Sequence, residues 1–224
     1  MGGAPAYVGA MRRRLALTLL VAVAIAGTVG GSADARSGPS DRDLATAAFL
    51  TASDFPAGEG WVRHPPTPSG TLRGAACAAI NRVRSASQRY RFSSPSFQAQ
   101  NAAAEESVYV FPTARQAQRY VSVFRRKTAE RCIHKYATRV FPNATIEITR
   151  IDTTGVGDDG VGFAITATGT SVQGSPDIVV VDIPSYRVGR VFVGFTFSST
   201  DEPLDIQQDV VHSAIARLGR ALRG

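Results

Sequence analysis

The sequence predicts an α+β fold in which helices pack on an antiparallel β-meander and one disulfide links two of the helices. Short apolar runs separated by glycine turns fill the second half of the 224-residue chain. Upstream of them, two segments have helical periodicity, and each carries one of the two cysteines. Short strands joined in sequence by tight turns are typical of antiparallel sheets.

The N-terminus has the pattern of an export signal. A basic block at 12–14 precedes the uncharged apolar run 15–26, and small residues follow at Ala33-Asp34-Ala35. This order is typical of a secretory signal peptide. We therefore predict a signal peptide over residues 1–35, cleaved between Ala35 and Arg36. The protein would then be secreted, periplasmic or held in the cell envelope.

The alternative interpretation of this segment is an uncleaved membrane anchor. Its apolar run is shorter than the roughly 20 residues of a usual span, and no other stretch of the chain is long enough. We thus expect no stable membrane span after cleavage. Whether translation starts at Met1 or Met11 stays open.

The part beyond the signal, Arg36–Gly224, is long enough for one domain with a hydrophobic core. We expect a flexible lead-in over 36–43 and a single domain over 44–224. Basic residues here exceed acidic ones only modestly, and nearly all are arginine. Such usage indicates a GC-rich coding sequence, so we expect no nucleic-acid partner.

The cysteines, Cys77 and Cys132, are 55 residues apart. An even number of cysteines in an exported protein predicts a disulfide. Closing a loop of this size stabilises a fold by roughly 4 kcal/mol in the chain-entropy model. Two free buried thiols are the alternative, which export disfavours.

The first half predicts helices around one strand. Ser40 with Asp43 predicts the start of a short helix that ends by Leu50. Prolines and glycines then predict loops, and the alanine-rich segment Ala75–Ser87 predicts a second helix. Alternation over Ala102–Phe111 predicts a strand. One continuous helix is predicted to follow, on the buried stripe Ala117, Tyr120, Val121, Phe124, Thr128 and Cys132.

The second half predicts four strands and a final helix. The strands are expected at 145–151, 161–168, 178–183 and 191–197, with glycine turns between them. Thr200-Asp201-Glu202-Pro203 has the acid and proline typical of a helix start. Its expected core stripe is Ile206, Val210, Val211, Ala214, Leu218 and Leu222.

Several stretches resemble the PknH-like extracellular sensor domains of actinobacteria. They are Leu50–Pro56 with Gly60-Trp61, Glu106–Ala117, Gly157–Asp159 and Tyr186–Val191. The resemblance implies a sheet with helices packed on it, a cleft for an envelope-derived ligand, and no enzymatic activity. The kinase sensors have four cysteines in two bridges, whereas this chain has two. No kinase domain or following span accompanies the domain here, so transmembrane signalling is not implied.

The glycine-rich segment Gly155–Gly160 has the spacing G-x-G-x-x-G. A dinucleotide site needs a helix after this loop, but a strand is predicted, so a hairpin turn is the better interpretation. Asp152, Asp158 and Asp159 suggest calcium, yet no loop supplies the six or more oxygens that calcium needs. We expect solvated turn acids, and neither a metal nor a cofactor.

No catalytic residue set is recognisable. The stretch Gly169–Gly174 does not match the G-x-S-x-G elbow of serine hydrolases. His64, His134 and His212 lack the close spacing of metal ligands. A thiol nucleophile at Cys132 is incompatible with the expected disulfide. We therefore expect a protein that is not an enzyme.

Two surface features remain. The arginines between Arg115 and Arg131 suit an anionic lipid or glycan, although a solvated helix face is the default interpretation. Asn143-Ala144-Thr145 matches a glycosylation sequon and is expected to be silent in a bacterial protein.

The sequence favours a non-catalytic binding or sensor-like module, with a small envelope-derived ligand or an envelope protein as partner. Tyr109, Phe163, Phe195 and Phe197 are candidates to line a cleft, although core packing is their commoner use. An envelope hydrolase assembled from distant residues and a structural envelope protein are the alternatives. The ligand and the oligomeric state stay open.

Overall fold

A computed structural model describes residues 38–66, 72, 74–170 and 176–224. This part of the chain forms five α-helices: α1 (Asp41–Ala48), α2 (Ala78–Ser87), α3 (Ala114–Phe124), α4 (Lys127–Val140) and α5 (Gln207–Arg223). Its eight strands are β1 (Val62–His64), β2 (Tyr90–Ser93), β3 (Ser96–Ala99), β4 (Ala102–Val110), β5 (Thr145–Ile151), β6 (Asp159–Thr170), β7 (Pro176–Val188) and β8 (Val191–Thr200). Short 3-10 helices cover Ala52–Asp54 and Ala75–Cys77.

All eight strands form one antiparallel sheet, with seven of them in the order β1-β3-β4-β8-β7-β6-β5 and β2 paired with β4 outside this path. Strands β5 to β8 are the predicted meander, each paired with the next one in sequence. Strand β4 pairs with β8 and joins the meander to the N-terminal half. Strands β2 and β3 pair with different parts of β4, opposite its β8 partner. The predicted α+β class is confirmed.

Helices cover both faces of the sheet, because the central strands are apolar on both sides. On one face α1 and α5 pack over Val108, Phe195 and Phe197 of the sheet. On the other face α2, α3 and α4 pack over Tyr109, Phe163, Phe192 and their neighbours. We refer to these as the α1/α5 face and the α2–α4 face. The central strands thus resemble the doubly buried strands of a three-layer fold.

A buried ion pair fixes the α1/α5 face. The Asp54 side chain is only 1% exposed and pairs with the Arg217 guanidinium of α5, and its Oδ2 accepts from Nη2 at 2.8 Å. The same guanidinium donates from Nη2 to the carbonyl of Phe49, just past α1, at 2.8 Å. Asp54 also accepts from the hydroxyl of Ser213 at 2.8 Å. One arginine therefore ties the end of α1 and the following turn to α5.

The prediction of one long helix carrying Cys132 is wrong. The segment forms two helices, which are separated at Arg125 and Arg126. Arg126 has an extended backbone, with ψ of 148°, which ends α3 and starts α4. Arg150 of β5 donates to the carbonyls of Phe124 and Arg125 at 3.1 and 3.4 Å. The Arg125 side chain pairs with Asp159. These contacts satisfy the carbonyls that a continuous helix would otherwise use internally.

The start of the last helix is also corrected. It begins at Gln207, not near Pro203, and Asp201 has a positive φ of 78°. The Ser199 hydroxyl donates to the carbonyl of Glu202, so 200–206 is a turn-rich connection. Most of the predicted stripe is buried, with Val210, Val211, Ala214 and Leu218 in the core.

In the N-terminal half the first helix agrees with the prediction, whereas three short strands were not predicted. Ser40 and Asp43 form a reciprocal capping box on α1, which begins inside the predicted lead-in and ends at Ala48. Three short strands, β1 to β3, are absent from the sequence-based prediction. They are three or four residues long, too short for a pattern of alternation to mark them.

Cys77 and Cys132 form the predicted disulfide, with their Cα atoms 4.9 Å apart. It joins the 3-10 turn before α2 to the middle of α4. Both residues are buried in the core of the α2–α4 face. The bond therefore fixes two of the three helices on that face relative to each other.

Candidate functional site

A row of small residues crosses the centre of the sheet on the α2–α4 face. The strand register aligns Ser93 of β2 with Ser107 of β4, then with Gly194 of β8 and Ser185 of β7. Two residues further along each strand, the neighbouring row on the same face consists of large side chains. They are Arg91, Tyr109, Phe192 and Arg187. Small side chains beside large ones leave space that the helices above do not fill.

This space is a partly open cavity of about 180 Å³ between the sheet and the helices. Ser107, Ser185 and Thr196 form part of its floor, and Ile133 and Tyr136 of α4 belong to its lining. We call it the sheet–helix cavity. It is smaller than the roughly 300–1,000 Å³ of pockets that take drug-sized ligands. A small molecule, or one group of a larger molecule, fits this volume.

Aromatic rings form one wall of the cavity. Tyr120 of α3 lies edge-on to Phe192 with ring centroids 4.9 Å apart, and its ring centroid is 5.1 Å from that of Phe124. Tyr109 of β4 lies 5.9 Å from Phe192. Such tilted and edge-on arrangements add to the stability that burial alone gives. The wall is thus a packed, largely apolar surface beside the polar floor.

Two arginines line the cavity next to the aromatic wall. Arg91 of β2 places its guanidinium carbon 5.3 Å from the centre of the Tyr109 ring. Its Nε is buried and has no hydrogen-bond acceptor among the described residues. Arg84 of α2 is the second arginine of the lining, and both act on the pKa of Tyr120, which burial raises and their charges lower. A buried donor without an acceptor is uncommon in a folded protein.

A carboxyl group contributes to the lining as well. Glu105 of β4 is half-buried, and its burial raises the pKa of the carboxyl group to about 7. Near neutral pH this group is therefore present in both its neutral and charged forms. Tyr136 of α4 is close enough that burial and the Glu105 charge together raise its pKa. The cavity combines an acid that can donate or accept a hydrogen bond with two fixed cations.

The adjacent acid, Glu106, points to the opposite face of the sheet. It is 3% exposed, and its Oε2 accepts from the backbone N–H of Leu50 at 2.8 Å. Burial raises its pKa to about 8, against the effects of that hydrogen bond and the Arg217 charge. Its other oxygen, Oε1, lacks a well-formed hydrogen bond within the described structure. Two neighbouring glutamates thus occupy two different buried environments.

The structure places the three histidines apart from one another and outside the cavity lining. His64 is in the short strand β1, and His212 is exposed on α5. His134 is exposed on α4, where its Nδ1 is 3.5 Å from the hydroxyl of Thr138. Each of the three belongs to a different element of the fold.

The three turn aspartates have partners of their own. Asp152 accepts a hydrogen bond from the backbone N–H of Thr154 at 2.9 Å. This bond is the largest cause of the lowered pKa of the Asp152 carboxyl group. Asp158 pairs with Arg187 at 2.9 Å, and Asp159 pairs with Arg125 of the α3–α4 link. These carboxylates stabilise the start of β6. Across the part of the chain that the structure describes, no cluster of three or more His, Cys, Asp or Glu could hold a metal ion.

The glycine-rich segment forms the turn before β6 rather than a phosphate loop. Gly157 has a φ of +66°, and a Cβ there would lie 2.7 Å from the carbonyl oxygen of Arg187. Only glycine fits this position without a shift of the backbone. The signal cleavage site at Ala35 and Arg36 lies outside the described residues, as does most of Gly169–Gly174.

Of the four aromatic residues named as cleft candidates, Tyr109 and Phe163 belong to the cavity lining on the α2–α4 face, while Phe195 borders the cavity only at its strand and packs its ring in the core of the α1/α5 face. Phe197 also packs in the core of the α1/α5 face. Glu105, Arg84 and Arg91 also line the cavity but were not among the candidates predicted from the sequence. One signal was available, because two consecutive glutamates in a central strand point to opposite faces. Once helices cover both faces, each of the two must enter a buried environment.

The arrangement defines a class of protein: a sheet-and-helix domain with a small, mixed polar and aromatic cavity. Its fold is similar to a crystal structure of the extracellular domain of PknH from Mycobacterium tuberculosis, with a TM-score of 0.54 and 12% sequence identity. The match covers 81% of this chain and 98% of that chain. No family model and no curated protein sequence matches the chain. At 12% identity the similarity concerns the fold alone. Separately, no helix within the described residues is long and apolar enough to span a membrane.

Proposed function

We propose that this protein is an exported, non-catalytic binding module of the cell envelope and that the sheet–helix cavity is its ligand site. The observation that carries the proposal is Arg91, which lines the cavity and whose buried Nε has no acceptor among the described residues. A ligand oxygen would satisfy that donor. The similarity in fold to the extracellular domain of PknH agrees with a sensor-like role outside the cell.

The lining indicates the chemistry of the ligand. Arg84 and Arg91 favour an anionic or strongly hydrogen-bonding group, since guanidinium donors suit carboxylates and phosphates. The Tyr109–Phe192 wall favours an apolar or ring-shaped group beside it. Glu105 and the serine hydroxyls add hydrogen bonds at the floor. We therefore expect a small amphipathic molecule of the envelope, or the polar end of a larger one, that carries an acidic group.

A hydrolase is the second candidate, and one observation favours it: the pKa of Glu105 is raised to about 7, as for many general acids. Hydrolysis by this route also needs an activated nucleophile or water beside the acid. Ser107 and Ser185 supply hydroxyl groups, but no histidine belongs to the lining to activate them. Binding is therefore the function that the geometry supports better.

A cavity-filling variant tests the site. Thr196→Trp places a large ring in the cavity, whereas Thr149→Trp adds the same ring at an exposed position on β5. Thermal unfolding would be followed with fractions of a host envelope extract. We expect a fraction that raises the melting temperature of wild type and of Thr149→Trp but not of Thr196→Trp.

The proposed ligand site is refuted if every active fraction stabilises both tryptophan variants equally. Circular dichroism without extract serves as the control that Thr196→Trp folds. If it does not fold, Arg91→Gln replaces it, because that variant removes the charge and the unpaired Nε while keeping much of the side chain. Stabilisation of Arg91→Gln equal to that of wild type would then contradict the proposal.

A further inference from the structure

The excess positive charge of the chain is concentrated on the α3–α4 hairpin. Between Ala114 and Val140 the sequence has eight basic residues and a single acidic residue, Glu130. The rest of the chain has equal numbers of basic and acidic residues, so this hairpin accounts for the whole formal charge of +7. The internal segments 67–71, 73 and 171–175 contain no aspartate or glutamate. They can supply no counter-charge.

Four of these cations form a continuous row on α4, which we call the α4 stripe: Lys127, Arg131, Lys135 and Arg139. At a spacing of four residues the row advances by about 40° at each step, so it covers about a third of the helix circumference over a length of about 18 Å. All four are exposed, while the other side of the helix is buried through residues such as Cys132 and Ala137. The stripe therefore faces solvent along the whole helix.

The α4 stripe is not neutralised by the fold. Within the described residues, none of its members forms an ion pair with a carboxylate. Glu130, the acid of the hairpin, is engaged by Arg150 at 2.7 Å. Like charges four residues apart destabilise a helix, and Lys127 lies at the helix N-terminus, where a cation is unfavourable. Among the described residues, no ion pair of these four cations offsets the costs.

We propose that the α4 stripe binds the surface of an anionic lipid bilayer through the phosphates of the headgroups. Basic residues near such a surface each add to the attraction. The stripe lies on the exterior of a helix, where a flat surface can reach all four cations at once. The large hydrophobic residues exposed in the described structure, Val62 and Tyr90, lie on other elements, β1 and β2. Binding would therefore be electrostatic, without insertion into the hydrocarbon.

A lipid surface fits better than a nucleic acid. Single strands bind where aromatic side chains offer stacking surfaces between the cations. The aromatic residues of the hairpin, Tyr120, Phe124 and Tyr136, belong instead to the cavity lining. This inference rests on the charge of α4 and stands independently of any ligand in the sheet–helix cavity.

Vesicle sedimentation with the full chain tests the proposal. One set of vesicles contains phosphatidylcholine alone. The other contains about 30 mol% phosphatidylglycerol, so that its surface is strongly anionic. The stripe variant is K127Q/R131Q/K135Q/R139Q. Its matched control, R42Q/R63Q/R220Q/R223Q, removes four exposed charges outside the hairpin and has the same net charge. Phosphatidylcholine vesicles measure any contribution of the N-terminal apolar segment, which all variants share.

We expect wild type to bind the anionic vesicles and to dissociate at about 1 M salt, where the screening length falls to about 3 Å. Removal of each charge from the stripe should weaken binding to anionic vesicles about fivefold. Removal of all four should therefore weaken it by roughly several hundredfold. The control variant should bind nearly as wild type does. R131K/R139K keeps the charges and should also bind like wild type.

Three results would overturn the proposal. Wild type could fail to bind anionic vesicles in low salt, or the control variant could lose as much affinity as the stripe variant. Soluble RNA or polyphosphate could also bind more tightly than vesicles at equal phosphate concentration, which would assign the stripe to a polymer. Circular dichroism checks the folding of the stripe variant. If the stripe variant is unfolded, two other measurements test the proposal. They are the salt dependence of vesicle binding by wild type and the vesicle binding of R131K/R139K.

Discussion

Glu106 is expected to make the stability of the fold depend strongly on pH. The side chain is buried between β4 and α1, and burial raises the pKa of its carboxyl group to about 8 from 4.5. In the unfolded chain the carboxyl group loses its proton near its ordinary pKa, whereas the native protein retains it to about pH 8. Between these values the native state binds more protons, so the free energy of unfolding falls as the pH rises.

The size of this effect follows from the pKa shift. Each unit corresponds to about 1.36 kcal/mol, so the full interval from 4.5 to about 8 costs roughly 5 kcal/mol. Glu106→Gln removes this titration and keeps an oxygen that can accept the N–H of Leu50. The variant should match wild type within about 1 kcal/mol at pH 5 and exceed its stability by several kcal/mol at pH 9.

Urea denaturation at pH 5, 7 and 9 measures the difference between the two proteins. Glu105, whose pKa is raised in the same direction, is present in both and cancels in the comparison. Glu147→Gln on the exposed side of β5 is the matched control for the loss of one carboxylate by the same substitution. An equal difference between wild type and Glu106→Gln at all three pH values would refute the assignment of a raised pKa to this residue.

Three further predictions concern stability and processing. The double variant C77S/C132S should lose roughly 4 kcal/mol of stability, and alkylation of wild type before reduction should add no mass; modification of both thiols would contradict the bond. Arg217→Met leaves the buried Asp54 carboxylate without its partner and should lower the free energy of unfolding by about 3–5 kcal/mol in denaturant. The double variant D54N/R217M should recover much of that loss. No recovery would show that the broken ion pair is not the cause of the lost stability. N-terminal sequencing of the exported protein should begin at Arg36, and a product that retains the apolar segment would favour an anchor.

The sequence predicts long elements well because their patterns are local. The meander strands β5 to β8, with runs such as Val191–Phe197, have the alternation and glycine turns that define them. The capping box at Ser40 and the stripe of α5 are equally local. In contrast, the break between α3 and α4 depends on Arg150, which is distant in sequence and caps the carbonyl groups there. No local pattern could have revealed it.

The candidate site is harder to predict, because the cavity is a property of register. Ser107, Gly194 and Ser185 are ordinary strand residues until β4, β8 and β7 align them in one row. Glu105 carries its own signal as one of two adjacent acids in a central strand. Its position in a cavity, however, depends on which helices cover that face.

Native mass spectrometry of the protein purified from its own host envelope tests the central claim most directly. We predict a bound molecule on wild type and on Thr149→Trp that is missing from Thr196→Trp, and that is released with its covalent structure intact. Wild type that is always free of ligand, or equal occupancy in both tryptophan variants, would contradict a binding module built on the sheet–helix cavity.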